Sequence, residues 1–435
     1  MKKEVDTLIH AQWIITGEDQ VLENHTLVLK NGKIAAILSN DEAVKQYSAK
    51  ETEKFPSHAI IPGLINTHTH LAMNYFRGMA DDLSLMNWLK NHIWPAEKKW
   101  LSHAFVYDAS LLAMAEMIRS GTTCFNDMFF FLQATAEAAD KAGLRANIGI
   151  TVMDFPTNWA QTPDDYFARG LEFFQHYKHH EKIRATLAPH APYTVCDESM
   201  LRVKEMAETH HLKINLHLHE TADEVNQSLA EIKKRPIRRL HELGMLSPRL
   251  IAIHMTQLNE EDLEIVAQDK PNVVHCPESN MKLASGICPV EKLRALGINV
   301  ALGTDGAASN NDLNMLGEMR TANFLAKLVS HDPEALPALD TLQIATRNGA
   351  KALGIDEITG SLAPGKSADF AVINLDEIET QPLYHPVSHI VYAASRHQVT
   401  DTWVAGKQLM KNRQLLTLDE KELIHKAKLW QKKIS

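Results

Sequence analysis

The sequence predicts an α/β fold: a (β/α)8 TIM-like barrel joined to a small β-sandwich domain built from both termini. Three observations predict it. Short apolar runs alternate with longer helical patterns through the middle of the chain. Eight such runs occur there. Both ends have a strand-and-turn texture that the middle lacks. The expected division is residues 1–58 with 365–435 in the small domain and 59–364 in the barrel.

The N-terminal stretch "TLVLKNGKIAAIL" has two apolar segments joined by Asn31-Gly32, a hairpin signal. Near the other end, "ADFAVINL" (368–375) reads as a strand and "VTDTWVAGKQLM" (399–410) as a strand pair around Ala405-Gly406. Between them the candidate strands are 59–66, 122–127, 145–151, 183–189, 213–219, 250–255, 272–277 and 298–305. Helix-like stretches such as "DASLLAMAEMIRSG" and "ESMLRVKEMAETHH" separate them. A doubly wound sheet gives a similar alternation. No G-x-G-x-x-G and no P-loop supports a nucleotide-binding version of it. The final "KELIHKAKLWQKKIS" is basic and amphipathic, and is expected to pack as a terminal helix rather than anchor in a membrane.

Composition narrows the partners. The chain has 435 residues, 45% hydrophobic and 23% charged, enough to build a large core. Its formal charge of −9 argues against a nucleic acid or a membrane surface, which would want a basic patch. The expected partner is a small molecule, and a homo-oligomer is compatible with the sequence. Cys124, Cys196, Cys276 and Cys288 form no C-x-x-C pair, which suggests reduced thiols. Glu4, Asp6 and His10 break up any apolar leader, and no apolar run approaches the ~18 residues of a membrane span. A cytoplasmic protein is expected.

The chemistry is read from strand ends, where barrels carry their sites. His68 and His70 end the first candidate strand, and side chains at i and i+2 share a face. With 23 histidines in the chain, one such pair is weak evidence alone. The fifth strand ends in His217, His219 and Glu220, the sixth in His254, and the eighth in Asp305. The fourth runs into His190 and the seventh into His275. Scattered histidines would fall on helices and loops as often. Three imidazoles and a carboxylate, with water completing the shell, make a catalytic zinc site.

These residues sit in segments that resemble the amidohydrolase superfamily and, within it, the 5′-methylthioadenosine/S-adenosylhomocysteine deaminases. The segments are "PGLINTHTHLAMNYFRGMADDL", "HAPYTV", "HLHET", "HCPESNMKLASGICPV" and "LGTDGAASNNDLNMLGEMR". The resemblance runs over essentially the whole chain. It implies one Zn2+ per subunit, or another divalent ion, with His68, His70, His217 and Asp305 as ligands. It implies hydrolytic deamination of methylthioadenosine, S-adenosylhomocysteine or adenosine, with water attacking C6. Zinc lowers the pKa of such a water toward ~7. Asp305 would accept a proton from it, and Glu220 would protonate the ring nitrogen and the leaving amine. His254 is similar to a histidine that contacts the water. No lysine stands out as a carbamate bridge, which fits a single metal.

The resemblance also implies substrate contacts. Glu97 matches a carboxylate that takes the ribose diol, although alone it would read as a solvated helix charge. His190 matches a substrate-contacting histidine. Ser309 is a weaker candidate. Trp88 could cover the purine or the sulfur side, although a tryptophan on an amphipathic stretch is more often core. His219 is expected to be a satisfied side chain, and His275 with Cys276 a strand and its turn rather than a nucleophile. One departure stands out. The family pattern has arginines after the third strand that suit a homocysteine carboxylate. Here "DFPTNWAQTPDDYFARG" offers only Arg169. Another aminohydrolase or chlorohydrolase of the same fold, acting on guanine, an oxidised purine or a triazine, is the alternative.

Overall fold

The computed structural model describes residues 2–435. The first four strands are β1 (Lys3–Ile15), β2 (Val21–Lys30), β3 (Lys33–Ser39) and β4 (Tyr47–Pro62). The Asn31-Gly32 turn joins β2 to β3 with φ of 51° and 74°, the left-handed pair that a tight two-residue hairpin needs.

Eight parallel strands follow: β5 (Leu64–Thr69), β6 (Thr122–Phe129), β7 (Arg145–Val152), β8 (Ile183–Pro189), β9 (Ile214–Leu218), β10 (Leu250–His254), β11 (Asn272–His275) and β12 (Val300–Leu302). Their spatial order is their chain order. The ring closes where the Asp305 N–H donates to the His68 carbonyl at 3.0 Å and the Thr304 N–H to Asn66 Oδ1 at 3.0 Å. Gly303 permits that approach, since a Cβ there would lie 2.7 Å from the His68 nitrogen. This is the expected (β/α)8 barrel. Helices predicted around 108–121 and 198–211 are His103–Arg119 and Asp197–His210.

The chain ends with β13 (Phe370–Asn374), β14 (Val399–Val404), β15 (Lys407–Lys411) and β16 (Gln414–Leu415). These join the N-terminal strands in one mixed sheet, ordered β16-β15-β14-β13-β4-β1-β2-β3, in which only β1 and β4 run parallel. The sheet folds back on itself, with the Ile34 N–H donating to the Lys366 carbonyl and the Ala368 N–H to that of Gly32. Its halves share a core in which the Phe370 and Trp403 rings stack at 5.5 Å.

One expected boundary moves. The run 59–66 was predicted as the barrel's first strand, but it is two strands. Ala59–Pro62 pairs with β13 in the terminal sheet, and the barrel strand starts at Leu64. Both pieces are apolar because both are buried, so hydropathy alone carries no mark of the break at Gly63.

Inside the barrel Ile65, Cys124, Ile251, Ile253, Val274 and Ala301 pack against Ala350 and Leu353, which close the end where the strands begin. The opposite end is left for chemistry. The two sheets are tied by a buried pair, Arg145 Nε to Asp369 Oδ2 at 3.0 Å. The terminal helix Glu420–Ile434 packs on His103–Arg119, as expected. Lys426 Nζ lies 2.8 Å from Asp108, Trp430 Nε1 donates to the same carboxylate, and the Trp430 and Phe105 rings meet edge to face. Among the described residues no helix is long and apolar enough to cross a membrane.

Candidate active site and metal centre

The strand ends bring five side chains to one point. Asp305 Oδ1 lies 3.3 Å from His68 Nε2 and 3.2 Å from His70 Nε2. His217 Nε2 lies 3.2 Å from His68 Nε2. Donor atoms of His68, His70 and Asp305 fall within 4.8 Å of one another, as do those of His68, His217 and His254.

Surrounding acceptors fix which nitrogen faces inward. His70 Nδ1 donates to the Met128 carbonyl at 2.6 Å, His217 Nδ1 to the His190 carbonyl at 2.8 Å, and His254 Nδ1 to Asn280 Oδ1 at 2.8 Å. A carbonyl oxygen only accepts, so each Nδ1 carries a proton and each Nε2 is the nitrogen turned toward the centre; for His70 the Asp305 carboxylate beside Nε2 outweighs burial and raises the imidazole to about 9. Burial holds His217 well below the ordinary imidazole range, and nearby histidines push it further, so its lone pair stays free. Asp305 is buried, yet the His68 and His70 imidazoles beside it hold its carboxyl well below the usual range, so it stays ionised. Converging imidazole lone pairs beside a carboxylate repel one another unless a cation sits among them. This set of four imidazoles and one carboxylate fits zinc or a similar divalent ion.

Asp305 is clamped. Ser279 and Ser309 hydroxyls donate to Oδ2 at 2.7 and 2.8 Å, and the Gly306 N–H donates to Oδ1 at 2.8 Å. Ser309 was expected as a substrate contact; it lines the cleft and also orients this carboxylate. Three strand ends turn through left-handed backbone, at His219 (φ 52°), His254 (φ 77°) and Asp305 (φ 62°). Non-glycine residues in that region cost of order 1–3 kcal/mol each and persist where surrounding bonds dictate them.

Glu220 follows β9 and is nearly buried, with Oε1 3.8 Å from His254 Nε2. Burial raises its carboxyl above the usual range, opposed by the charge of His254. Glu224, on the helix Ala222–Ile232, accepts the N–H groups of Glu220 at 2.7 Å and of His219 at 3.0 Å. His219 is satisfied as expected: Nδ1 donates to the Gln257 carbonyl at 2.9 Å and Nε2 accepts from the Ile237 N–H at 3.1 Å.

A cleft of about 640 Å³ opens above these groups. The long excursion between β5 and β6 forms one wall. It supplies Trp88 from Leu85–Trp88 and Glu97 from Trp94–Trp100. Burial pushes the Glu97 carboxyl up to about 8, against the charge of His70. Trp88 lines the cleft with one face and packs in the apolar core with the rest. His190 lies opposite, with Nδ1 3.0 Å from Thr194 Oγ1, and burial with the charges of His70 and His68 pushes it down to about 3. Tyr193, Met128 and Met153 complete the walls. His70, His217, His254, Glu220, Asp305, Glu97, His190, Ser309 and Trp88 thus face one cavity, with His68 beneath it.

Cys276 lies in the barrel core, where burial raises its thiol well above the ordinary range, so it has no nucleophilic character. Arg169 pairs with Asp165 on an outer helix and does not line the cleft. Sequence reasoning passed over Ser279, Asn280, Glu224 and Tyr193. The first two lie in the quoted "HCPESNM" segment, where the polar residues just after a strand end were the available signal.

Residues 59–409 match the amidohydrolase family model. A 5-methylthioadenosine/S-adenosylhomocysteine deaminase of Saccharophagus degradans is 46% identical, over 100% of this chain and 98% of its own. One of Teredinibacter turnerae is 44% identical, over 99% and 98%. Among solved structures, an adenosine deaminase of Xanthomonas campestris with bound zinc superposes with a TM-score of 0.98 at 45% identity, covering 100% of this chain and 99% of that one.

Proposed function

The chain belongs to the amidohydrolase family, and from that membership we propose that its cleft deaminates adenine nucleosides bearing a 5′-substituent. It is a hydrolase acting on C–N bonds. Water replaces the exocyclic amine at C6 of the adenine, giving the inosine analogue and ammonia. The observation that carries this reading is the meeting of an inward-facing His/Asp set with Glu97 across one cleft: a hydrolytic centre at one end and a diol acceptor at the other.

His68, His70, His217 and Asp305 would hold the ion, whose Lewis acidity makes water nucleophilic near neutral pH. Glu220 is protonated more readily than an ordinary carboxylic acid because it is buried. It gives its proton to the ring nitrogen beside C6, takes the remaining O–H proton of the added water, and delivers that proton to the departing amine. Asp305, ionised and clamped by two serines, accepts the proton that water loses. His254, fixed by Asn280, aims Nε2 at the space beside Glu220 and orients the attacking water. Glu97, whose buried carboxyl keeps its proton near neutral pH, accepts from one ribose hydroxyl and donates to the other, His190 contacts the base, and Trp88 keeps bulk water off the ring. Ser309 supports Asp305 from the wall of the cleft.

The four free cysteines suit a reducing compartment, and we read the protein as cytoplasmic with a small-molecule partner. The test is ammonia release across methylthioadenosine, S-adenosylhomocysteine, adenosine and guanine. At least one of the nucleosides should be turned over. Turnover of guanine alone would overturn the role of Glu97.

A further inference from the structure

Past Glu97 the cleft continues into a second cavity of about 930 Å³ that opens to solvent. Trp94, Glu97, Phe130 and Met153 line both spaces and form their common wall. A nucleoside with its base over the histidines and its diol on Glu97 has one part left to continue in that direction, the group on its 5′ carbon. We infer that this annex is the pocket for the 5′-substituent and that it selects an uncharged, apolar one, such as methylthio, over an amino-acid tail. The inference rests on the adenine-nucleoside reading above.

The walls carry the argument. The Trp94 and Phe155 rings lie 6.1 Å apart with their planes tilted by 59°, and Leu101 and Pro156 are beside them. Phe155 remains 37% exposed at the mouth, an aromatic ring left without a partner on its outer side. The polar lining residues are turned back onto the protein. Asn158 Nδ2 donates to the carbonyls of Glu97, Lys98 and Leu101 at 3.3, 2.9 and 3.1 Å, stapling the loop after β7 to the helix that carries Glu97. Gln161 Nε2 donates to the Thr157 carbonyl at 2.6 Å, and the Thr157 hydroxyl meets Tyr166 at 2.8 Å.

Cations are scarce. Lys98 alone among the lining residues carries positive charge, and it is exposed. The nearby arginines are committed elsewhere: Arg169 to Asp165 and Arg202 to Asp164, both at 2.8 Å, and neither lines the annex. An α-carboxylate entering here would give up water for one mobile ammonium at the surface, with the Glu97 carboxyl nearby. Such an exposed pair returns little. A methylthio group gives up no hydration of charge and gains apolar contact. The annex opens to solvent and so does not exclude the longer substituent by its length, and wall chemistry decides between them.

The experiment is kcat/KM from ammonia release by the zinc-loaded, full-length protein, with methylthioadenosine, S-adenosylhomocysteine and guanine compared side by side. Methylthioadenosine should exceed S-adenosylhomocysteine by at least about tenfold, mostly through KM. Lys98→Met should change S-adenosylhomocysteine use by less than about threefold. Phe155→Arg, which sets a guanidinium at the mouth, should narrow the gap. Equal or better use of S-adenosylhomocysteine by the wild type, or its loss in Lys98→Met, would overturn the inference while leaving nucleoside deamination standing. Turnover of guanine with neither nucleoside used would overturn the parent reading and this one with it.

Discussion

The carboxylate of Glu224 accepts the backbone N–H of Glu220 at 2.7 Å, and so holds the turn that aims the proton-carrying side chain. Its other oxygen takes the N–H of His219, whose left-handed backbone makes the turn possible. Glu224→Ala leaves both N–H groups buried without partners, at a cost of about 1–3 kcal/mol each. The variant should melt lower than wild type and lose kcat more than it gains KM. Glu224→Gln retains one acceptor oxygen and should recover part of both. Thermal melts with steady-state kinetics on the same samples check this. An unchanged kcat in the alanine variant would show that the turn is held by other means.

Glu220→Gln removes the exchangeable proton and keeps the shape. Metal content should match wild type because Glu220 is outside the nearest donor set. Turnover should fall by about 10²–10⁴. Metal analysis beside turnover separates this outcome from loss of the centre. Full activity in the glutamine variant would remove Glu220 from the proton path.

Glu97 makes stability depend on pH. Its folded pKa of about 8 lies above its ordinary value of 4.5. The folded protein therefore holds a proton that the unfolded chain loses, and the associated stability is full below about 4.5 and is lost as pH rises through about 8. Glu97→Gln has no such titration. The difference in Tm between wild type and variant should shift in favour of the variant from pH 5 to 8 and level off above that. A difference independent of pH would mean the carboxyl is already ionised in the folded protein.

Arg145→Met tests the tie between the two sheets. It leaves Asp369, fully buried, without its counter-charge. Breaking one partner of a buried pair costs about 3–5 kcal/mol. Denaturation should reveal a clear loss of stability, while kcat at low temperature stays near wild type, since Arg145 lies at the start of β7, the end of the barrel away from the cleft.

The convergence of the candidate donors was legible because barrel strands end at one rim, and the choice of ligands among them came from the family resemblance. His68 and His70 share a face, and β9, β10 and the residues just past β12 bring His217, His254 and Asp305 to the same rim. What sets the direction of those side chains was not legible. The acceptors for His70 and His217 are the Met128 and His190 carbonyls, and any residue type supplies a carbonyl. Ser279 and Asn280 act across 26 positions on Asp305 and His254, and only the folded ring shows that. The break at Gly63 was hidden for a simpler reason. Burial on both sides of it produces one continuous apolar run.

Counting metal and activity in one sample tests the central claim, metal-dependent deamination in this cleft. The purified protein should carry about one equivalent of zinc or a similar divalent ion. Chelation should abolish ammonia release from methylthioadenosine, and added zinc should restore it. A metal-free protein that still released ammonia at the original rate would contradict the account.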